Sequence, residues 1–323
     1  ASGNVGRKTI EILEKSKIPF KELYLVASKK SAGKKIKFRG EEIVIENLES
    51  YDFSKAQITF FAAGSQIAKE WAPKAAKKTI VIDNSSYFRM QSDVPLVVPE
   101  VNAEALNKHN NIISNPNCST MQMVLALKPL HDEYKINRVV VSTYQAVSGA
   151  GKAPMDELFE QTKDYLENKK IKSKNFTKQI AFNLIPHIDS FDKDGYTKEE
   201  LKMTNETKKI LDNDIDVTAT CVRVPVRTGH SESINIEFEK SYDLESITKL
   251  LDNSPGCKVI DGRKDGEYMT PFEAENDYTT YISRIRKDNT NAKAINIWVV
   301  SDNLLKGAAL NTVQIAECLM KKI

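Results

Sequence analysis

One stretch of the sequence, residues 58–82, reads ITFFAAGSQIAKEWAPKAAKKTIVI. Its apolar start, residues 58–63, predicts a buried strand, and residues 79–82 predict another. The residues between them, 66–78, have the spacing of a helix. A strand, a helix and a second strand over this length are typical of a βαβ unit with parallel strands. The stretch therefore predicts an α/β protein with a doubly wound parallel sheet.

The chain opens on ASGNVG, a glycine-containing turn. A helix is predicted after it at Arg7–Lys17, followed by a strand at Leu23–Ala27. A turn, a helix and a strand make the second half of another βαβ unit. We therefore expect the first strand of that unit to lie before Ala1, so that this sequence begins inside the first loop. Residues 36–45 predict a hairpin.

From about Arg138 the pattern changes to long β-rich segments with one intervening helix, residues 152–167. The predicted strands are residues 138–147, 215–226, 233–238, 278–285 and 295–300. This pattern predicts a second, α+β domain with a mostly antiparallel sheet, in which residues 168–213 are the least regular. The final helix is predicted over Leu304–Lys322. The expected domains are 1–117 plus 304–323, and 118–303.

Composition excludes several classes of protein. The 323 residues carry 47 Lys plus Arg against 44 Asp plus Glu, a balance that argues against a dedicated nucleic-acid binder. Apolar runs are far shorter than the ~20 residues that cross a bilayer, so no membrane partner is expected. The four cysteines are scattered and no C-x-x-C occurs. We therefore expect reduced thiols in a cytoplasmic protein, and no metal site.

The strongest chemical signal is NPNCST at residues 115–120, between a predicted strand and an apolar helix. A cysteine at a helix N-terminus has a lowered thiol pKa, because the helix dipole favours the thiolate. Cys118 is therefore a candidate nucleophile. The alternative is a buried structural cysteine beside a Ser/Thr cap.

A cysteine nucleophile needs a proton acceptor nearby in space. The candidate is His230, which follows a predicted apolar strand that carries Arg223. An arginine between valines must meet an anion, from a ligand or from the protein; a salt bridge between domains is the alternative. His109, His131 and His187 are predicted to be surface or packing residues.

Eight motifs, taken in order, resemble the aspartate-β-semialdehyde dehydrogenase family of bacterial type. They are GNVG at 3–6, SSYFRM at 85–90, VPEVN at 98–102, NPNCST at 115–120, YQAVSGAG at 144–151, EELK at 199–202, RVPVRTGH at 223–230 and DNLLKGAA at 302–309. The resemblance covers essentially the whole chain. It implies a Rossmann-type dinucleotide-binding domain, a catalytic and dimerisation domain, and a homodimer.

The resemblance also implies roles for individual residues. It implies that Cys118 is the nucleophile, His230 its acid/base and Gln145 the residue that orients the substrate. The implied substrate contacts are Arg89 and Lys202 for phosphate, Asn117 beside the nucleophile, Glu199 for the amino group and Arg223 for the carboxylate. The implied cofactor-binding residues are Ser2, Gly3, Asn4, Val5, Ser28, Lys30, Ser31, Ala63, Gly64, Ser148, Gly149 and Asn303.

The implied reaction is the NADPH-dependent conversion of aspartyl phosphate to aspartate semialdehyde and phosphate, or its reverse, in the biosynthesis of Lys, Thr, Met and diaminopimelate. A thiolate that attacks the acyl carbon expels phosphate and leaves a thioester. An imidazole with the usual pKa of ~6.5 is suited to move protons at working pH. Without the resemblance, Glu199 and Lys202 would be interpreted as a surface ion pair three residues apart on a helix.

The loop at residues 26–33, VASKKSAG, bears on the choice of cofactor. NAD-binding Rossmann domains place an acidic residue at this strand end. Hydroxyls and two lysines stand here instead, which favours the 2′-phosphate of NADP; a solvated basic turn is the alternative.

Two other classes of function remain open at this point. A sister enzyme, N-acetylglutamyl-phosphate reductase or glyceraldehyde-3-phosphate dehydrogenase, uses the same thioester chemistry. The pair Glu199 and Arg223 favours a free amino acid over an acetylated one. A redox-sensing repressor on a Rossmann scaffold is the second alternative, but the sequence contains no helix-turn-helix motif and no basic stripe.

Overall fold

The computed structural model describes residues 1–16 and 18–321. The strands in this part of the chain are β1 (Leu25–Ala27), β2 (Lys35–Phe38), β3 (Glu41–Asn47), β4 (Ile58–Phe61), β5 (Ile80–Asp83), β6 (Ile112–Ser114), β7 (Ile136–Gln145), β8 (Asp216–Arg223), β9 (His230–Phe238), β10 (Cys257–Val259), β11 (Thr280–Lys287) and β12 (Ala294–Ser301). The α-helices are α1 (Asn4–Lys15), α2 (Ser65–Ala75), α3 (Pro99–Asn102), α4 (Cys118–Tyr134), α5 (Lys152–Leu166), α6 (Lys198–Ile210), α7 (Leu244–Asp252), α8 (Pro271–Ala274) and α9 (Leu310–Met320).

The chain divides into two compact units. The first comprises Ala1–Pro116 with the C-terminal stretch that begins at Ala308, and the second is Asn117–Gly307. The second unit therefore begins one residue before Cys118.

The first unit contains the predicted parallel strands. β4, β5 and β6 form one sheet in that order, with both pairs parallel. α2 follows β4 and buries its alanines against Phe53, Phe61 and Val81. A second sheet has the order β1-β3-β2, in which β1 is parallel to β3 and β2 forms a hairpin with it. The hairpin turns at Arg39 and Gly40, both with positive φ, as a two-residue turn requires.

The second unit is built on one six-stranded sheet with the order β10-β11-β12-β9-β7-β8. The three central pairings are antiparallel and the two outer ones are parallel. α4 is apolar over most of its length and packs against β7, β9 and β12. The prediction of a parallel α/β sheet followed by a mostly antiparallel α+β unit is confirmed.

Two predicted segments differ from the structure. Residues 168–213 contain α6, whose first turn has a capping box in which Thr197 and Glu200 bond each other's backbone. This signal is present in the sequence but is masked by the polar residues around it. The last helix was predicted from Leu304, but a π-helical turn, Leu305–Ala309, precedes α9. The predicted helix ends at Lys17 and Lys322 lie outside the described residues.

Candidate active site around Cys118

Cys118 is the first residue of α4 and is half-buried. The preceding residue, Asn117, caps the helix: its Oδ1 accepts hydrogen bonds from the N–H groups of Ser119 and Thr120, at 3.0 and 3.2 Å. The Cys118 thiol therefore lies at the positive end of a 17-residue helix, where a thiolate is stabilised.

Glu199 is the centre of a buried hydrogen-bond cluster on the side of Cys118 that Asn117 occupies. Its Oε1 accepts from Asn117 Nδ2 at 2.8 Å and from Gln145 Nε2 at 3.0 Å, and its Oε2 accepts from Lys202 Nζ at 3.0 Å. Burial alone would raise the pKa of Glu199, but the Lys202 charge and these hydrogen bonds outweigh it and lower the pKa to about 2. The carboxylate is therefore ionised at neutral pH.

Lys202 also contacts Asp189, with 3.1 Å between Nζ and Oδ2. Asn117, Gln145, Asp189, Glu199 and Lys202 are called the Glu199 cluster below. Glu199 is only 5% exposed, so its ion pair with Lys202 is a buried one and the surface interpretation is wrong. The two predicted substrate contacts are thus joined to each other.

Arg223 ends β8 directly opposite Gln145 in the register of the sheet. Its Nη1 donates to the carbonyl of Ala146 at 2.6 Å, and the side chain is buried. Burial lowers the pKa of Arg223, while Glu199 and Cys118 oppose this shift. No carboxylate among the described residues forms an ion pair with it, so the salt-bridge alternative is wrong. A buried guanidinium in this position is suited to an anionic ligand.

His230 begins β9 and is fully buried. Its Nδ1 accepts a hydrogen bond from the N–H of Ala146 at 3.0 Å. Burial and the nearby Arg223 charge lower the pKa of His230 to about 3. The pKa of the buried ring therefore lies below the unperturbed value of ~6.5, because the ring is neither solvated nor paired with a carboxylate of its own.

Two close backbone approaches were missed by sequence reasoning. A methyl group at Gly307 would lie 2.9 Å from Cβ of Cys118, so the π-helical turn packs directly against the candidate nucleophile. A methyl group at Gly149 would lie 3.1 Å from Nε2 of His230 and 3.2 Å from Nη1 of Arg223. Glycine followed by small residues in DNLLKGAA and VSGAG was the available signal.

The other predicted residues of the second unit lie on the His230 side. Asn303 is buried, and its Oδ1 accepts from Ser148 Oγ at 3.0 Å and from the N–H of Gly229 at 2.9 Å. Ser148 and Gly149 belong to a 3₁₀ turn, Val147–Ala150. Asn303 and this turn thus hold the strand end that carries His230.

The predicted residues of the first unit form two groups. Ser2 and Ser31 are 3.3 Å apart between their hydroxyls, which joins the start of the chain to the loop after β1. In that loop, residues 28–33, Ser28 and Lys30 are exposed; it is called the serine–lysine loop below. Gly3 immediately precedes α1, whose first turn contains Asn4 and Val5.

Ala63 and Gly64 are exposed and precede α2. Gly64 has a φ of 83°, a conformation that favours glycine. Arg89 is buried in the first unit, where its Nη2 donates to the carbonyl of Asn84 at 3.0 Å.

The remaining predictions concern histidines, metals and membranes. His131 and His109 accept backbone hydrogen bonds, and His187 stacks on Phe191, so the packing or surface interpretation is confirmed. Within residues 1–16 and 18–321, no group of three or more His, Cys, Asp or Glu side chains could hold a metal ion. In the same residues, every helix is too short or too polar to cross a bilayer.

The two units match two family models. Residues 1–109 match the NAD-binding domain of semialdehyde dehydrogenases, and residues 127–306 match their dimerisation domain. The chain therefore belongs to the semialdehyde dehydrogenases, a family of nicotinamide-dependent oxidoreductases.

Individual relatives show which semialdehyde dehydrogenases this chain is most similar to. The chain is 52% identical to aspartate-semialdehyde dehydrogenase of Aquifex aeolicus, over all of this chain and 96% of the relative. Aspartate semialdehyde dehydrogenase II of Vibrio cholerae, solved in complex with ASA, superposes with a TM-score of 0.97 at 45% identity, over 99% of this chain and 96% of that one. The Candida albicans enzyme, solved with NADP, has a TM-score of 0.78 at 25% identity, over 99% of this chain and 96% of that one. The chain belongs to the aspartate-semialdehyde dehydrogenase family, and the resemblance seen in its motifs is confirmed.

Proposed function

We propose that this chain catalyses the NADPH-dependent reductive dephosphorylation of L-aspartyl-4-phosphate to L-aspartate-4-semialdehyde, and its reverse, through a thioester on Cys118. The observation that carries the proposal is the position of Cys118. It lies at the N-terminus of α4 beside the Glu199 cluster. A relative that this chain matches over 96% of its length is named aspartate-semialdehyde dehydrogenase. The pathways served would be those to lysine, threonine, methionine and diaminopimelate.

The local charges support a nucleophilic thiolate. The α4 dipole and the Arg223 guanidinium both favour the negative charge on Cys118. Attack on the acyl carbon would expel phosphate and leave a thioester, which divides one difficult reaction into two easier steps.

The buried charges fit the substrate's amino-acid group. Arg223 offers a planar guanidinium to the α-carboxylate, and Glu199 offers an ionised carboxylate to the ammonium group. Glu199 already accepts three hydrogen bonds from protein groups, so the ammonium group would join an organised site. Lys202 and Arg89 are assigned to phosphate; the charge of Lys202 is shared with two carboxylates.

The first unit fits a dinucleotide at Gly3 and at the serine–lysine loop. The backbone at Gly3 is open to a bound group, since a methyl group there would meet nothing within 4 Å. The Gly3 N-cap makes no side-chain cap hydrogen bond, and the N-terminus of a helix favours an anion. Ser28, Lys30 and Ser31 would contact the 2′-phosphate of NADP, and Ala63 and Gly64 would lie along the cofactor. When bound, the nicotinamide supplies or accepts a hydride; Ser148, Gly149 and Asn303 are assigned to its binding.

The domain assignment follows from these roles. Residues 1–117 plus 304–323 would bind the dinucleotide, and residues 118–303 would carry catalysis and dimerisation. A homodimer formed through the second domain is supported by the dimerisation-domain match. The reaction belongs in the cytoplasm, where a reactive thiol stays reduced.

The test is NADPH formation from aspartate semialdehyde, phosphate and NADP, before and after alkylation of the thiol. We expect activity that alkylation removes. N-acetylglutamate semialdehyde is the comparison substrate, and equal or better turnover of it would favour the sister enzyme. If the chain forms NADPH with neither substrate, the proposed function is contradicted.

A further inference from the structure

Gln122 lies on α4 one helical turn after Cys118, and its side chain is completely buried. Residues four apart share a face of a helix, so Gln122 and Cys118 lie on the same face. The Oε1 atom of Gln122 accepts a hydrogen bond from Oγ of Ser301 at 2.9 Å. Ser301 is the last residue of β12. This bond therefore joins the beginning of α4 to the end of that strand.

The chain that follows Ser301 returns to Cys118. A π-helical turn, Leu305–Ala309, comes soon after β12. A methyl group at Gly307 in this turn would lie 2.9 Å from Cβ of Cys118. The bond between Ser301 and Gln122 thus connects α4, which carries Cys118, to the turn that packs against it. A shift of either segment would move the thiol.

Glu232 approaches the side chain of Gln122 from β9. It lies opposite Thr143 of β7 and Val299 of β12 in the register of the sheet. Its carboxyl group is completely buried, and the side chain of Gln122 interacts with it. An acidic residue in such a place costs free energy unless a polar partner meets it, and Gln122 is that partner. The residues that follow Glu232 on this face of β9 are apolar and buried: Ile234, Ile236 and Phe238.

Burial keeps Glu232 uncharged at neutral pH. It raises the pKa of this carboxyl group well above the usual value, while the side chain of Gln122 opposes the shift. An uncharged carboxyl group can donate a hydrogen bond as well as accept one, and so can the amide of Gln122. The two side chains are therefore chemically matched to each other.

We propose that Gln122 and Glu232 are positioning residues, which together with Ser301 hold the first turns of α4 so that the thiol of Cys118 lies where it attacks the substrate. This inference rests on the proposed function. All three side chains are completely buried, so they act through α4 and not by touching the substrate. A reacting atom displaced by about 1 Å can lower a rate ~100-fold. Loss of these contacts should therefore lower kcat, while substrate binding, which is assigned to other side chains, is kept.

The first test compares two replacements of Glu232. Glutamine has nearly the same shape and keeps a donor and an acceptor for Gln122, whereas methionine fills a similar space without either. We expect Glu232→Gln to keep kcat within about threefold of wild type at pH 7, and Glu232→Met to lower it on the order of 10–100-fold. KM for the semialdehyde should change by less than about threefold in both variants. Glu237→Met, on the opposite face of β9, is the matched control and should leave kcat unchanged.

A second measurement separates the position of the thiol from its reactivity. The dipole of α4 is the same in these variants, so the thiolate should persist. We expect iodoacetamide to alkylate Cys118 in Glu232→Met at a rate within about threefold of wild type, although turnover falls. Faster alkylation, with a loss of turnover that only matches a loss of folded protein, would show that Glu232 acts on folding alone and would overturn the inference.

A double-mutant cycle tests whether Glu232 acts through Gln122. Gln122→Met alone should lower kcat about as much as Glu232→Met, and the double variant should lose no more than the more damaged single variant. Losses in kcat that multiply would contradict a shared contact. If the methionine variants do not fold, Ser301→Ala makes the smaller change. It removes the hydroxyl that donates to Gln122, and it should lower kcat about 3–10-fold with KM unchanged.

The outcomes of these tests are distinct. Unchanged kcat in folded Glu232→Met or Ser301→Ala, or a raised KM with kcat kept, would overturn the positioning role. A wild-type chain that forms no NADPH from the semialdehyde, phosphate and NADP would reject the proposed function itself. An active wild-type chain with equally active variants would reject this inference alone.

Discussion

The Glu199 cluster and the serine–lysine loop both carry charge, but they hold it in opposite ways. Glu199 is buried and accepts hydrogen bonds from Asn117, Gln145 and Lys202. Lys30 is exposed, and the described part of the chain gives it no ion pair. The charges of the cluster are therefore paired within the protein, whereas the lysines of the loop face solvent, and we propose that they contact the 2′-phosphate of NADP. Substitutions should affect both stability and catalysis in the first region, and cofactor choice alone in the second.

The largest effect is expected at Cys118, which follows Asn117 of the Glu199 cluster in the chain. Cys118→Ala should lower turnover by more than about four orders of magnitude, because covalent catalysis has no substitute. Thermal unfolding and NADP binding should be nearly unchanged. Cys318→Ala is the matched control and should be fully active. Retention of more than a trace of activity by Cys118→Ala, in a preparation free of wild-type enzyme, would contradict the thioester mechanism.

Arg223→Lys tests the buried anion site. The charge is kept, but a point ammonium cannot form the two parallel hydrogen bonds of a guanidinium. We expect kcat/KM for the semialdehyde to fall on the order of 10–100-fold, the effect of one charge-assisted contact. Arg227→Lys, which replaces an arginine 52% exposed in its side chain, should have little effect. If Arg223→Lys lowers stability as much as it lowers catalysis, the residue has only a structural role.

Lys30→Glu tests the loop. NADP should be preferred over NAD by roughly 100-fold in kcat/KM in the wild-type chain, as expected for one or two charge-assisted contacts. The variant should lose most of that preference, because a carboxylate repels the 2′-phosphate, while its melting temperature stays the same. Lys37→Glu makes the same charge change on an exposed strand of the same unit and should keep the preference. If the wild-type chain has equal kcat/KM with NADP and NAD, the loop does not recognise the 2′-phosphate.

The smallest effect is expected at Glu232, whose carboxyl group should make the free energy of unfolding depend on pH. Its carboxyl group is fully buried, and this burial raises the pKa well above the usual value, although the side chain of Gln122 opposes the shift. A raised folded-state pKa means that the folded state binds the proton more tightly, so stability falls as pH rises above the unfolded value of ~4.5 toward the folded one. Urea denaturation of Glu232→Gln between pH 5 and pH 9 should show a flatter decline than wild type.

Glu237→Gln, on the opposite face of the same strand, serves as the control and should follow the wild-type decline. Glu199 gives the contrasting case, since its pKa of about 2 makes it stabilising above pH ~4.5 and progressively less so as pH falls toward 2. Identical pH profiles for Glu232→Gln and wild type would show that the Glu232 carboxyl is solvated.

The sequence predicted those parts of the molecule that depend on local periodicity and on ordered motifs. The βαβ stretch, the hairpin at Arg39 and the helix after Cys118 all have such signals. What it could not predict depends on contacts between distant segments. That Asn117 and Gln145 share one oxygen of Glu199 requires three elements to meet, and the low pKa of His230 follows from burial that no single motif encodes.

In the proposed mechanism, Cys118 carries the substrate's acyl group as a thioester. The most direct measurement is mass spectrometry of the protein after incubation with aspartyl phosphate, without a reduced nicotinamide. We predict one aspartyl group per chain, located on the peptide that contains Cys118, removed by hydroxylamine and absent in Cys118→Ala. An active enzyme that shows no such adduct under these conditions, or carries it on another residue, would contradict the account.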